Sequence, residues 1–443
     1  MANGLVIAAP RSGSGKTTVT LGLLAALRAR GIAVAPAKTG PDYIDRSILE
    51  RASGAEAINL DPWAMSPARL HQLAADHATG ADLLLVEGVM GLFDGAADGK
   101  GSTGDLAATL GLPVILVVDA DRQSQSVAAL VHGFATWRPD VRIAGLILNR
   151  AASTRHELML RAAIAPLGIP LLGVLPRRPA LELPSRHLGL VLPADLAQFD
   201  DVVSAASETI TEYLDLNLLL ALSSPLSLPL VGRGDQPKAG GWGSGATDLP
   251  PLAQHTAIAR DAAFAFIYPH WLKAWQNAGA TLSFFSPLAD EIPDPSAGAV
   301  FLPGGYPELH AALLSQRQKF MGGLSAAVTR NCWIYGECGG FMVLGESLTD
   351  KDGVTHRMAG LLPHETRIDR PKRVLGYRRL TQSGALPWPK SLTGHEFHYS
   401  SARQIRGGTP LFTATDALGE DLPPMGLVQG RVMGSYAHVI DIA

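Results

Sequence analysis

The chain is expected to fold as two α/β domains, each built on a buried parallel sheet, and three observations point there. Charged residues make up 17% of the sequence and hydrophobic residues 47%, a charge content below the roughly 25% of ordinary globular domains. Short apolar runs ending in small or acidic residues recur at helix-length intervals, the pattern of strands buried on both faces. At 443 residues the chain also exceeds what one hydrophobic core sustains. The 47 glycines and 31 prolines suit the many tight turns such a fold needs.

The first strand is Leu5-Val-Ile-Ala-Ala9, and Ser12, Gly13, Ser14, Gly15, Lys16, Thr17 and Thr18 follow at once. Pro10 stands where a glycine usually opens such a loop, so this is a variant phosphate loop. Its chemistry is intact. Backbone N–H groups at a helix start hold phosphate oxygens, Lys16 neutralises charge, and Thr17 can ligate Mg²⁺. ATP is the expected nucleotide.

A second short strand leads into Lys38-Thr-Gly-Pro-Asp42-Tyr43-Ile-Asp45. Glu87 closes Leu83-Leu-Leu-Val-Glu87, and Asp94 follows in Gly88-Val-Met-Gly-Leu-Phe-Asp94-Gly95. Asp42, Asp45, Glu87 and Asp94 thus fall on loops at the carboxyl ends of strands, on the edge carrying the phosphate loop. There, with Thr17, they are placed to hold one or two magnesium ions. Asp119, which closes Val114-Ile-Leu-Val-Val-Asp119, competes with Glu87 for the acid's role. Asn149 ends Ile143-Ala-Gly-Leu-Ile-Leu-Asn149 and either reads an adenine edge or caps a helix. Leu171-Leu-Gly-Val-Leu175 is a further strand. Arg186 and His187 form a compact polar pair between apolar neighbours, suited to an anionic substrate or to a satisfied buried turn.

Mixed polar and apolar spacing over residues 205–222 reads as helix, and residues 223–251, rich in Ser, Pro and Gly, read as linker. The expected division is 1–195 for an ATP-dependent domain, 196–252 for helix and linker, and 253–443 for a second α/β domain. Strand-like runs resume at Ala263-Phe-Ala-Phe-Ile-Tyr268, Thr281-Leu-Ser-Phe-Phe285, Ala299-Val-Phe-Leu302 and Cys332-Trp-Ile-Tyr335.

Gly336-Glu-Cys338-Gly-Gly340 places small residues on both sides of a thiol, as a strained strand–helix elbow requires. The helix start beyond it should lower the thiol pKa. Gly304 and Gly305 supply consecutive N–H groups for an oxyanion, and His438 is the candidate base. Cys332 is expected to pack in the preceding strand. His395-Glu-Phe-His398 lacks the i, i+4 histidine pair of zinc-binding helices and reads as a structural or substrate segment. A thiol able to release ammonia from glutamine, in one chain with a site able to activate a carboxylate with ATP, implies ATP-dependent amide formation.

The net charge of −3 gives no reason to expect nucleic acid as a partner. No apolar run approaches the roughly 18 residues that span a bilayer, so no membrane association is expected. The N-terminal apolar run has no basic flank and reads as a core strand, not a signal peptide. Two cysteines make neither a disulfide framework nor a zinc site. A cytoplasmic protein is the default expectation, with a homodimer among the assemblies this allows.

These motifs together resemble the cobyrinic acid a,c-diamide synthases, also described as hydrogenobyrinic acid a,c-diamide synthases, of cobalamin biosynthesis. The matching segments are Ser12–Thr17, Lys38–Asp45, Val86–Gly95, Arg186–Leu190, Gly304–Glu308, Gly336–Gly340 and Gly394–Ser400, in family order. The resemblance implies a dethiobiotin-synthetase-like P-loop domain followed by a class I glutamine amidotransferase-like domain. It implies amidation of the a and c acetate carboxylates of a corrin-ring acid with two ATP and two glutamine. It also implies that Asp42, Tyr43 and Asp45, with Glu87 and Asp94, hold substrate and metal. Class I amidotransferases often carry a glutamate two residues beyond the catalytic histidine. Ile440 stands there, leaving a Cys338–His438 dyad whose orienting group is open. The rival readings are a nickel-sirohydrochlorin a,c-diamide synthase and a partitioning-type regulatory ATPase. The latter would carry a lysine where Arg11 stands and would lack a thiol domain.

Overall fold

The computed structural model describes residues 2–178, 185–186, 189–190, 199–226 and 248–443, with backbone alone for 185–186 and 189–190. The chain divides into two compact units, Met1–Gln236 and Pro237–Ala443.

In the first unit, strands β1 (Asn3–Ala8), β2 (Val34–Thr39), β3 (Ile58–Leu60), β4 (Leu83–Glu87), β5 (Val114–Asp119), β6 (Ile143–Ala151) and β7 (Leu171–Pro176) run in the order β3-β2-β4-β1-β5-β6-β7. All these pairs are parallel. Every residue of β2, β4 and β5 is buried, which is why these runs are apolar without alternation. β1 is central, so the loops leaving β1, β2 and β4 gather at one carboxyl edge where the winding direction reverses. Helices α1 (Lys16–Ala29) and α2 (Tyr43–Ser53) start from that edge. The helix Phe199–Tyr213 packs on α1 so closely that a Cβ on Gly22 would lie 2.8 Å from the Ala206 carbonyl oxygen. Ser224–Pro225 then pairs antiparallel with Asn3 and Gly4, so the described chain through residue 226 packs as part of this unit.

The second unit holds a six-stranded sheet ordered Thr281–Phe285, His255–Ala259, Ala299–Leu302, Trp333–Glu337, Val432–Ser435 and Leu427–Gln429. All its pairs are parallel except the last. An antiparallel sheet beside it includes the neighbours Val374–Gln382, Ser391–His398 and His438–Ile442. The core centres on Phe264, Leu302, Phe320, Ile334 and Leu344.

The run at 263–268 is not the strand its composition suggested. The strand is His255–Ala259, and the later residues form a turn with one isolated bridge from Phe266 to Gly304. Asp261 holds that turn: its carboxylate accepts from Ala263 N at 2.9 Å and from Leu288 N at 2.8 Å. Phe264 is fully buried within it, so the apolar run records burial and not extension. Among the described residues, no helix is long and apolar enough to cross a membrane.

Candidate active sites

Cys338 ends the strand Trp333–Glu337 with φ 46° and ψ −103°, a conformation that only a tightly built turn imposes on a residue with a side chain. The turn is built from backbone meeting backbone. A Cβ on Gly340 would lie 1.9 Å from Leu302 O, and one on Gly339 would lie 3.1 Å from Gly305 N. Cys338 N donates to Ser435 O at 2.8 Å, and Gly340 N to Pro303 O at 3.1 Å. The Gly305 amide therefore sits against the elbow, while Gly304 lies under the imidazole of His438, whose Cε1 would be 2.3 Å from a Cβ there. The structure thus gathers Cys338, Gly304, Gly305 and His438 at one place.

The segment His395–His398 belongs to this site too. His395 is the register partner of His438, and Cys338 Sγ lies 4.0 Å from Phe397 O. Glu396 accepts from Arg378 Nε at 2.9 Å and lies 2.9 Å from His398 Nε2, and the His398 ring stacks on Tyr436 at 3.9 Å. Among the described residues no cluster of three or more His, Cys, Asp and Glu could hold a metal.

Burial dominates the electrostatics here. It pushes the Cys338 thiol well up, with Glu308 adding to the effect. This reverses the expected depression: the helix beyond the thiol, Gly339–Leu344, is only six residues long, and its dipole is outweighed. His438 is lowered to about 3 by burial, with His395 and His398 adding. Glu337 is raised to about 8 by burial, against hydrogen bonds from Val439 N at 3.0 Å and Tyr335 Oη at 2.8 Å. Its Oε2 lies 3.8 Å from His438 Nδ1. Burial thus favours the uncharged form of thiol, imidazole and carboxyl alike, and a thiolate–imidazolium pair has to be made during reaction. Glu308, beside Pro307 whose ring would meet a Gly339 Cβ at 2.7 Å, buries an Oε2 with no hydrogen-bond partner among the described residues. Burial lifts its carboxyl to about 7.

In the first unit the phosphate loop turns through Gly13 (φ 79°) and Gly15 (φ 85°) into α1, whose N-terminus has no side-chain cap and no acid in its first turn. Those amides are left for an anion. Ser12 and Gly13 are exposed, while Ser14 is buried and its Oγ donates to Arg11 O at 3.0 Å. Thr18 sits in the first turn behind Thr17.

Below the loop, Glu87 receives Thr17 Oγ1 at 2.7 Å, Lys38 Nζ at 3.0 Å and Lys16 Nζ at 3.3 Å. Lys38 also pairs with Asp45. Burial opposes the charge on Glu87, yet Lys38 and Lys16 hold its carboxyl below the usual range. Burial likewise lowers the Lys16 ammonium, helped by Lys38. Lys38 is held firmly protonated by Asp45 and Glu87 against its own burial. Burial and then Asp42 push Asp45 toward about 6. The two tendencies oppose each other across one ion pair, and the direct contact of Nζ with the carboxylate decides for a charged Lys38–Asp45 pair.

Asp119 is engaged elsewhere, by Arg150 at 2.8 Å and Arg11 at 3.2 Å. Glu87 is therefore the acid that meets Lys16 and Thr17. Asn149 donates from Nδ2 to Ser14 O at 3.0 Å and so braces the loop; the following helix is capped by Ser153 instead. Asp42 caps α2 by accepting from Asp45 N at 2.9 Å, and Tyr43 is buried in its first turn. Asp94 is exposed and accepts from Gly91 N at 2.9 Å. His187 and the Arg186 side chain lie outside the described residues. Lys38, Glu308 and Glu337 were missed as site residues. A lysine in the otherwise uncharged strand Val34–Thr39 was the one available signal, since both glutamates hide inside motifs read for their neighbours.

Residues 5–191 match the CobQ/CobB/MinD/ParA nucleotide binding domain, and residues 255–441 the CobB/CobQ-like glutamine amidotransferase domain. The chain is 51% identical to a Brucella anthropi protein over 99% of this chain and 98% of that one. It is 50% identical to a Rhizobium meliloti protein over the full length of both. A Rhodobacter capsulatus protein is 47% identical over 99% of this chain and 98% of its own. All three relatives are named hydrogenobyrinate a,c-diamide synthase.

Proposed function

The chain belongs to the hydrogenobyrinate a,c-diamide synthase family, and from that premise we propose that it amidates the a and c acetate carboxylates of hydrogenobyrinic acid in the cytoplasm, using glutamine and ATP. The observation that carries this reading is Cys338 on a strained elbow whose Gly339 lies against Gly305 N, with His438 against the neighbouring Gly304, in one chain with Lys16, Thr17 and Glu87.

In the second unit the thiol proton passes to His438 as Sγ attacks the glutamine side-chain carbonyl carbon. The oxyanion takes the Gly304 and Gly305 amides. The C–N bond breaks, His438 returns the proton to the leaving ammonia, and water hydrolyses the thioester to glutamate. The Glu308 oxygen, buried without a hydrogen-bond partner among the described residues, is the group suited to the α-ammonium of glutamine. In the first unit a substrate carboxylate attacks the γ-phosphorus of ATP, giving an acyl phosphate and ADP. Lys16 steadies the phosphoryl charge. Ammonia then adds to the acyl carbon and phosphate leaves.

Mg²⁺ fits this site. Glu87 Oε2 is buried without a hydrogen-bond partner among the described residues, and Thr17 Oγ1, which donates its proton to Oε1, keeps lone pairs for a cation. Few protein ligands and several phosphate or water oxygens are usual for this ion. A bound ion would supply positive charge to the phosphate oxygens. Asp45 is tied to Lys38 and Asp94 is exposed, so both are better placed as its outer partners. Asp42, Tyr43, Arg186 and His187 are assigned to the corrin acid on the family likeness.

Cys338→Ala tests the division of labour. Glutamine-driven amidation should vanish while amidation with free ammonia persists, scored by a mass loss of about one unit per amide. Absence of ammonia rescue in a folded variant refutes the reading.

A further inference from the structure

An imidazole that takes a thiol proton works only if its other nitrogen is held in the right tautomer and orientation. The place two residues beyond His438, where an acid would serve, is filled by fully buried Ile440. Its carbonyl is taken by His270 Nε2 at 3.0 Å and Trp271 Nε1 at 3.1 Å, and the strand register slips there, between Thr393 and Gly394 opposite.

We infer that Glu337, the residue immediately before the nucleophile, is the positioning acid of His438. Its Oε2 lies 3.8 Å from His438 Nδ1, and both side chains are 2% exposed. Its Oε1 is anchored twice, by Tyr335 Oη at 2.8 Å and by the amide of Val439, the residue after the histidine, at 3.0 Å. The carboxyl is thus tied to the backbone of the base it faces. At 3.8 Å the two atoms stand at ion-pair distance, and closing to hydrogen-bond distance on ionisation of Glu337 would direct Nδ1–H at Oε2 and leave Nε2 to accept the proton of Cys338. Once Glu337 is ionised, its carboxylate balances the imidazolium that forms when that proton arrives. Glu337 acts on the reaction through His438, while its charge also adds to the upward push on the Cys338 thiol. The inference rests on the glutamine-hydrolysing reading above.

The other titratable groups felt at the site are Glu308 and Glu396 at Cys338, and His395 and His398 at His438. Glu337→Gln alters none of them. It keeps an oxygen for the Tyr335 and Val439 anchors while turning an N–H donor toward Nδ1, which favours the wrong tautomer. The experiment is steady-state glutamine hydrolysis by the full chain across pH 6–9.5, beside ammonia-driven amidation.

In Glu337→Gln, kcat for glutamine should fall roughly 100-fold with KM within about threefold, and ammonia-driven synthesis should stay within about twofold of wild type. Wild-type kcat should climb through about pH 8 as Glu337 ionises, and the variant should lose that limb. A merely structural carboxyl would leave both the rate and the pH limb unchanged, and that result overturns the inference. Should Glu337→Gln not fold, Glu337→Asp keeps the charge at shorter reach, and a kcat equal to wild type there overturns it equally. Wild type lacking glutaminase activity sinks both readings; wild type having it, with Glu337→Gln its equal, sinks this one alone.

Discussion

Thr17 Oγ1 donates to Glu87 Oε1 at 2.7 Å, joining the first turn of α1 to the carboxyl end of β4. The same oxygen also receives Lys38 and Lys16, so a single carboxylate organises the phosphate side of the first unit. Burying it among two ammonium groups is tolerable only because all are paired at once.

Replacing Glu87 by Gln removes the charge at the centre of that cluster. ATP-dependent ADP release should fall by roughly 100-fold or more, while glutamine hydrolysis by the second unit stays near wild type. Measuring ADP and glutamate in the same reaction separates the two, and wild-type ADP release would rule out the role given to Glu87.

Gly15 adopts φ 85°, and a Cβ there would lie 2.2 Å from Asn149 Nδ2. Gly15→Ala should weaken nucleotide binding in titration calorimetry by roughly 100-fold, a loss that is still measurable. Asn149→Ala removes the bond to Ser14 O and should weaken nucleotide binding about tenfold, the scale of one lost hydrogen bond. Because the two residues touch, the double variant should be less damaged than the sum of the singles. Strict additivity would show that Asn149 does not brace the loop.

Glu308→Gln leaves the elbow intact but removes the charge offered to an ammonium group. KM for glutamine should rise roughly 10- to 100-fold, with ammonia-driven synthesis unaltered. Alkylation of Cys338 by neutral iodoacetamide should be no slower than in wild type, because Glu308 is one of the groups that push the thiol up. An unchanged KM would remove Glu308 from glutamine recognition.

Burial lifts Glu337 from 4.5 in a free carboxyl to about 8. Between those values the unfolded chain has released a proton that the folded chain still holds. Stability from this group is therefore fully present below pH about 4.5 and is lost as pH rises through about 8. The loss is on the order of 2–4 kcal/mol. His438, held down to about 3, acts in the opposite direction as pH falls below about 6.5, where Glu337 is uncharged like the glutamine that replaces it. The variant's thermal midpoint should match wild type near pH 5 and exceed it by a few degrees at pH 9. A lower midpoint at pH 9 would reverse the sign and the argument.

Much of this was legible in residue order alone. Leu83–Glu87 and Val114–Asp119 declare buried parallel strands because nothing polar interrupts them before an acid, and the glycines around Lys16 and Cys338 announce turns whose backbone must approach closely. What stayed hidden was three-dimensional. No spacing rule distinguishes Glu87 from Asp119, because the choice depends on which strand end Thr17 meets. Glu337 is invisible as a partner for His438, 101 positions away by numbering, since parallel pairing of Trp333–Glu337 with Val432–Ser435 brings them together. Ala263–Tyr268 misled because a buried turn and a buried strand share one composition. The helix start after Cys338 misled because a six-residue helix cannot offset full desolvation.

The thiol stands on glycine backbones with almost no side chains between them. A Cβ added at Gly340, Gly434 or Gly336 would come within 1.9, 2.6 or 2.8 Å of a neighbouring main-chain atom. Side chains can change rotamer and absorb small displacements, but peptide planes in direct contact have no such slack. The elbow should therefore behave like a latch, fully engaged until it springs. On heating, glutamine hydrolysis would disappear in a single step together with the second unit's fold, without an intermediate temperature range of sluggish turnover.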